Sequence, residues 1–367
     1  MSKKKKFFQL TRSSKFFFTI LVVLAALGLL FVFEASTVES FKLFGHQYHF
    51  VKQQAMWLFL SFIVLFLTYF VKMEWLKKLA FPLYLLALLF LVLPLVPGLG
   101  MELNGANRWI STPWFSLQPV ELFKFAFINF YAAFLAKEIK LTTFLFFLFL
   151  PALILLLQPD FGSLMIIVAV ALILYFLAGG ELKFLAIISL TALFLAVTFI
   201  ISSPYRRERL TTFLHPELDP SGNSYHIHQI TLALGNGSWF GRGIGNSQQK
   251  YAYVPEASSD SIFAIIAEEL GFLGSSLIII LLASYFVAAN AMFPAKKVGK
   301  EKNQYQYLLF YGILAWIAVQ IFFNLAAVVV ILPLSGMPLP FFSQGGSSLL
   351  SLFFASGILL NIANHPD

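Results

Sequence analysis

The chain has no cysteine among its 367 residues, and only 11% of them are charged. Without cysteine there is no disulfide framework, no thiolate nucleophile and no cysteine-based zinc site. The charged share is less than half of the roughly 25% found in soluble domains, and the hydrophobic class reaches 59% against about 45–50% in such domains. A water-soluble core of ordinary composition is excluded. Internal repeats of 20–50 residues and low-complexity tracts are also missing.

What is present is a series of continuous apolar runs. Residues 16–33, 55–71, 80–96, 142–157 and 306–332 hold few or no charges and reach or approach the ~20 residues that cross a bilayer as helix. The runs do not alternate, which removes an outer-membrane barrel, whose strands are ~10 residues long with a period of two. Soluble enzymes and DNA-binding modules fall away with them. The expected fold class is an all-α integral membrane protein of about ten transmembrane helices, with a large extracytoplasmic loop between helices 7 and 8. The spans are expected near 16–33, 55–71, 79–96, 120–136, 142–158, 162–178, 184–202, 261–292, 306–332 and 346–364. That divides the chain into a cytoplasmic tail (1–15), helices 1–7 (16–202), the large loop (203–260), helices 8–10 (261–364) and a cytoplasmic end (365–367).

The net charge of +8 is read first as topology. With the amino terminus inside, 16 of the 25 basic residues fall on the cytoplasmic side, as the positive-inside rule requires. Lys3 to Lys6 precede an apolar run longer than the 7–15 residues of a signal-peptide core, so it is read as a retained first helix. The cytoplasmic connections are short, which leaves the outer side for chemistry. There, 203–260 is far longer than the ~2–8 residues usual between bundled helices, and its tyrosines, tryptophan and glycines are unlike disorder. Residues 97–119 read as a polar, turn-rich stretch. The Pro and Gly cluster of 333–346 reads as re-entrant or capping backbone that lines a cavity.

Charges within or beside the spans are costly and are either paired or functional: Glu121, Lys124, Asp160, Asp260, Glu268 and Glu269. Glu121 and Lys124 share one helix face, and a Lys124–Asp160 ion pair is geometrically open, with a structural bridge as the favoured role. Asp260 is a helix cap or a general base at the water boundary, and the residues alone leave both standing. Glu268 and Glu269 shape a polar cavity beneath it or pair across the bundle, the structural role being preferred.

Arg108, Arg206, Arg207, Arg209, Arg242 and Lys250 suit a diphosphate clamp, since guanidinium matches phosphate oxygens in bidentate geometry. Attraction to anionic lipid headgroups is the simpler reading of such clusters. Gly241-Arg242-Gly243-Ile244-Gly245 lacks the preceding strand of a nucleotide loop. His215, His226 and His228 with Glu217 and Asp219 are read as solvent-facing loop residues, and no metal site is assigned.

Taken together, the motifs resemble the shape, elongation, division and sporulation (SEDS) family. The resemblance rests on Gly241 to Ser247, Pro255 to Ala264 and Glu268-Glu269-Leu270-Gly271. Further matches are Asn104 to Trp109, Gln118 to Glu121 with Lys124, Gln158 to Gly162, and Pro338-Leu339-Pro340 through Gly345 to Ser348. It runs nearly the whole length of the chain in order, and Gly241 to Ser247 with Pro255-Glu256-Ala257 looks more like the division than the elongation member.

The resemblance implies a ten-helix peptidoglycan glycosyltransferase that polymerises lipid II on the outer face of the cytoplasmic membrane. Its implied partners are a class B penicillin-binding protein as transpeptidase and other membrane proteins of the division or elongation complex. It also implies that Asp260 is the catalytic acid residue, deprotonating the acceptor 4-hydroxyl while the anomeric carbon inverts and undecaprenyl diphosphate leaves. No cofactor is assigned, and help from a divalent cation is left open. Where the family commonly has His-Thr before the acid and Phe after it, this chain has Ser258-Ser259 and Ser261. Two other classes are weighed: a lipid-linked precursor flippase, which would need polar residues through the whole membrane, and a non-catalytic scaffold, which would not need Asp260.

Overall fold

The computed structural model describes residues 10–103, 106–111, 116–201, 204–217, 224–251, 254–293, 301–334 and 336–365. Thirteen helices dominate the described residues. They are α1 (Arg12–Phe44), α2 (His49–Tyr69), α3 (Met73–Lys78), α4 (Ala80–Val92), α5 (Pro119–Leu135), α6 (Leu141–Leu157) and α7 (Phe161–Leu177), followed by α8 (Leu182–Ile201), α9 (Pro204–Leu214), α10 (Tyr225–Gly237), α11 (Ile262–Met292), α12 (Glu301–Val328) and α13 (Gly346–Asn364). Each of the ten expected spans coincides with a helix, because an apolar segment in lipid must satisfy its backbone internally. Among the described residues, five helices are long and apolar enough to cross a membrane, and four shorter apolar ones accompany them. The protein is an all-α integral membrane protein that passes the membrane several times.

Local chemistry sets the ends. Thr11 accepts from Ser14 N at α1, Pro119 opens α5, and Asp160 caps α7 through Ser163 N at 3.2 Å. Gly45 closes α1 with φ 74°, the left-handed conformation that suits glycine. At ~1.5 Å per residue, the 33 residues of α1 run far past a ~30 Å hydrocarbon core. The first span is therefore longer than 16–33, and its extension carries Glu34 and Glu39.

Two outer segments differ from their expected form. Residues 97–119, read as turns, contain a three-stranded antiparallel sheet of β1 (Gly100–Leu103), β2 (Ala106–Ser111) and β3 (Ser116–Leu117), in the order β1-β2-β3. Residues 203–260, read as one long loop, contain α9 and α10, and α10 packs on α11. Both sequences lack a long apolar run, which is why they stand out from the spans without declaring their own structure.

In the core α13 packs on α2, α1 on α11, α4 on α5, and α12 on α5 and α7. Large apolar side chains also cover the outside, with Phe59, Leu89, Phe149, Leu190 and Ile280 all exposed. A surface and a core that are both apolar suit lipid as the solvent. The segment between α12 and α13 lies against α1, where a Cβ on Gly28 would stand 2.0 Å from the Phe341 carbonyl oxygen. Only glycine permits that approach.

Candidate active site

Asp260 sits one residue before Ser261, which holds the cap position of α11 without making a side-chain cap bond. The cap reading of Asp260 is thereby corrected: its carboxylate lies outside the helix. The carbonyls around it are held one by one. Gln344 N donates to Ser258 O at 2.8 Å, Ser343 Oγ to Ser259 O at 2.5 Å, and Asn324 Nδ2 to Asp260 O at 2.8 Å. Asn324 also donates to Met337 O at 2.6 Å, and Gln320, one turn away on α12, donates to Pro338 O at 3.1 Å. Gln54 on α2 reaches the same segment through Ser343 O and Gly345 N. Two helices, α2 and α12, together with the segment that carries Ser343 and Gln344, thus fix the main chain that presents Asp260.

Two residues of this region hold backbone strain: Glu256 at φ 51° and Phe341 at φ 71°. Non-glycine residues in that conformation cost about 1–3 kcal/mol each and cluster where function needs them. The Asp260 carboxyl opens on a small depression lined by Asn324, Ala327, Val328, Gly336 and Met337. Burial pushes this carboxyl up to about 7, and the nearby Glu256 adds to the shift, while bonds from its own backbone and from Ser261 pull the other way. Such a group changes protonation near neutral pH, which suits proton transfer.

Glu268 and Glu269 lie farther down α11, 0% and 1% exposed. Glu268 accepts from Ser247 Oγ at 2.5 Å, Gln249 N at 3.2 Å and Gln248 N at 3.3 Å, with Arg242 Nε at 3.9 Å. Glu269 accepts from Lys250 Nζ at 3.2 Å and Ser247 N at 3.4 Å. Lys250, itself 7% exposed, also donates to Glu34 of α1 at 3.1 Å. These carboxylates pair across elements, the structural role preferred for them.

The helix beneath them is broken at Gly271, with φ 68° and ψ −171°. The glycine run meets this break. Arg242 N and Gly243 N donate to the carbonyls of Glu268 and Glu269 at 3.0 and 2.9 Å, and Phe272 N and Leu273 N donate to Ser238 O and Trp239 O at 2.8 and 3.1 Å. A Cβ on Gly241 would stand 2.2 Å from Glu269 O, and one on Gly271 would stand 2.2 Å from Gly241 N. Gly241 to Gly243 therefore repairs an interrupted helix, which restores backbone bonds the break would leave open.

Lys124 pairs with Glu121 Oε1 at 2.8 Å and Gln320 Oε1 at 2.8 Å, and stands 5.3 Å from the Trp316 ring centre. It does not pair with Asp160. That carboxylate instead meets Arg108 at 3.9 Å, and Arg108 also donates to Pro159 O. The Lys124–Asp160 bridge is corrected accordingly: a neighbour three residues away on the same helix satisfies Lys124 with no crossing between helices.

Arg207 is exposed on α9. Arg206 and Arg209 share that helix, with side chains outside those described, and Asp219 lies outside the described residues. His215 meets Glu217 at 3.3 Å, His228 is exposed, and His226 Nε2 lies 2.9 Å from Ser261 Oγ. Among the described residues no group of three or more His, Asp or Glu could hold a metal ion. Sequence reasoning missed Asn324, Ser343, Gln54 and Glu34. The signal was there for one pair: Gln320 and Asn324 are amides four apart in an otherwise apolar run.

The family model described as a cell cycle protein, FtsW/RodA/SpoVE, matches residues 14–367. The protein named probable peptidoglycan glycosyltransferase FtsW of Pseudoalteromonas translucida is 39% identical, covering 93% of this chain and 87% of that protein. Stage V sporulation protein E of Bacillus subtilis is 35% identical, covering 94% and 95%. A chain from a structure of a peptidoglycan synthase complex, solved to show structural coordination of polymerization and crosslinking, superposes with a TM-score of 0.75 at 26% identity, over 95% of this chain and 96% of that one. The rod shape determining protein RodA of Thermus thermophilus shares the fold at a TM-score of 0.67 and 24% identity, over 95% of each chain. With residues 14–367 matched and with relatives at 35–39% identity over nearly the whole chain, the chain belongs to the FtsW/RodA/SpoVE family of cell cycle proteins.

Proposed function

We propose that the protein is a peptidoglycan glycosyltransferase, which polymerises lipid II into glycan strands on the outer face of the cytoplasmic membrane, with Asp260 as general base. In this reading the acceptor 4-hydroxyl gives its proton to the Asp260 carboxylate as its oxygen attacks the donor anomeric carbon. The bond to undecaprenyl diphosphate breaks and the configuration inverts. The observation that carries it is the Asp260 carboxyl itself, tuned to about 7 and presented from a main chain bonded at three successive carbonyls. A base works best when its pKa lies near the working pH and its position is fixed in advance.

The relatives named peptidoglycan glycosyltransferase support the reaction class. The relative solved within a synthase complex supports a crosslinking partner, a class B penicillin-binding protein. Both termini are proposed to be cytoplasmic, with helices 1–7 in 16–202, the outer segment 203–260 and helices 8–10 in 261–364. The lysine distribution supports that orientation.

The leaving diphosphate needs cations, and guanidinium donors aimed at growing charge are an efficient means of stabilising it. Arg207, exposed on α9 with Arg206 and Arg209 in the same helix, is proposed for that task. Arg108, Arg242 and Lys250 already face carboxylates and are proposed to support the site from behind.

The test is glycan polymerisation from purified lipid II in detergent, with the class B partner present, comparing wild type with Asp260→Asn. Polymer from wild type only supports the reading. Polymer from both removes Asp260 as base, and polymer from neither, with the complex intact, brings back the flippase and scaffold.

A further inference from the structure

Ser261 stands where the family resemblance leads one to expect phenylalanine, and its hydroxyl is the nearest side-chain donor to the proposed base. Ser261 Oγ lies 3.5 Å from Asp260 Oδ1 and 2.9 Å from His226 Nε2. His226 comes from the first turn of α10 and is half-buried there. Ser261 is 1% exposed, so its hydroxyl has little access to water, and a buried hydroxyl is costly unless it is bonded.

A serine hydroxyl has one proton. If that proton points at Asp260, the oxygen is free to accept from the imidazole N–H. The two contacts then run in one direction, His226 Nε2–H to Ser261 Oγ–H to Asp260 Oδ1. Bonds donated to a carboxylate favour its ionised form, and a chain of such bonds polarises each member further.

We propose that His226 and Ser261 are positioning residues that orient the Asp260 carboxylate through Oδ1 and stabilise its ionised, proton-accepting form. The proposal rests on Asp260 acting as the base. The hydroxyl holds one oxygen, which leaves Oδ2 for the acceptor hydroxyl. Bonds of this kind are often long before substrate binds and tighten in the complex, consistent with the 3.5 Å contact.

The surroundings favour this source of control. Among the described residues, the titratable groups that face Asp260 are Glu256 in its own segment, which raises its pKa, and His226 of α10 by way of Ser261. Glu39, near the end of α1, stands within electrostatic reach of Glu256. The packed faces of α12 and of residues 336–344 contribute neutral amides and hydroxyls, Asn324, Ser343 and Gln344. With acidic Glu256 beside it, the Asp260 carboxyl is held toward its ionised form by backbone bonds of Asp260 and Ser261 and, among the side chains, by the Ser261 hydroxyl that His226 backs.

The experiment measures the polymerisation rate from lipid II between pH 5.5 and 9 for the full-length protein with its class B partner. The variants are Ser261→Ala, Ser261→Thr, His226→Ala, His226→Gln and Asp260→Asn. Ser261→Ala deletes the bond to the carboxylate and His226→Ala deletes the bond that turns the hydroxyl toward it, and loss of that donated bond raises the Asp260 pKa by about one unit. The acidic limb of kcat should therefore move up by about one pH unit in Ser261→Ala and His226→Ala. Near pH 6 the rate should fall about tenfold and recover by pH 9, with KM for lipid II unchanged. Ser261→Thr and His226→Gln keep a donor and should keep the wild-type limb. A loss of rate equal at all pH values, or limbs that do not move, overturns the proposal; should Ser261→Ala not fold, His226→Ala decides alone. Activity retained in Asp260→Asn marks the different failure, that of the base itself, whatever the limbs do.

Discussion

The carboxylates at the start of α11 divide into two kinds within ten residues of sequence. Asp260 has its main chain bonded at three successive carbonyls and its carboxyl facing a depression, with the Ser261 hydroxyl at 3.5 Å. Glu268 and Glu269 are reversed: the backbone beneath them is broken at Gly271, while their carboxylates are surrounded by donors from Asn236 to Lys250. Burial alone does not make a carboxylate reactive. What separates the two is the company each keeps: Lys250 stands against Glu269 and Arg242 near Glu268, whereas burial and the neighbouring Glu256 push the Asp260 carboxyl up to about 7, a value that suits proton transfer.

The largest expected effect breaks the Asp260 side of the comparison. Asp260→Asn should lower polymerisation by at least ~100-fold, the usual scale for a lost general base, with the melting temperature in detergent not lowered. A wild-type rate in the variant would reduce the residue to structure. Next is Lys250→Met, which leaves the buried Glu269 and the part-buried Glu34 without their shared cation. It should destabilise by about 3–5 kcal/mol, read as a fall in thermal unfolding temperature that is partly restored by adding Glu269→Gln.

Gly271→Ala comes third. The new Cβ would meet Gly241 N at 2.2 Å, at a backbone conformation with φ 68°, and the cost should be about 3 kcal/mol. Because that break supports Glu268 and Glu269, the same melting assay tests whether the glycine run and the helix form one unit.

The smallest effect concerns pH and stability. The folded Asp260 carboxyl holds its proton up to about 7, above the ordinary aspartate value of 3.8, so the folded state binds more protons than the unfolded one between those values. The stability that this gives is present below pH 4 and is lost as pH rises through 7. Asp260→Asn should therefore be more stable than wild type at pH 8, by something on the order of 2 kcal/mol, and the advantage should disappear near pH 4. No difference at pH 8 would mean that the carboxyl is well solvated and that another group sets the neutral limb.

The spans were legible because an apolar run of about 20 residues has one stable form in lipid, and all ten expected runs are helices. Helix ends followed the punctuation of Thr11, Gly45, Pro119 and Asp160. Asp260, Glu268 and Glu269 stood out because a charge beside an apolar run needs an explanation. Their different roles were not legible, since Ser247, Gln249, Lys250 and Glu34 are up to about 235 residues distant in sequence from α11 and no local pattern pairs them. The β-strands at 100–117 were missed for a related reason: their register depends on cross-strand partners, and short polar strands have no run of their own.

Composition and hydropathy thus determined, without any coordinates, that this chain lives in a membrane as helices, and they singled out its few charges beside the spans. Tertiary structure alone decided which carboxylates pair across elements and which one faces the depression beside Asn324 and Gly336. The reason is physical: apolar burial depends on local composition and is roughly additive along a segment, whereas the state of a carboxylate depends on the donors within about 3 Å of it, and those are brought together only when α1, α10, α11, α12 and the 336–345 segment pack.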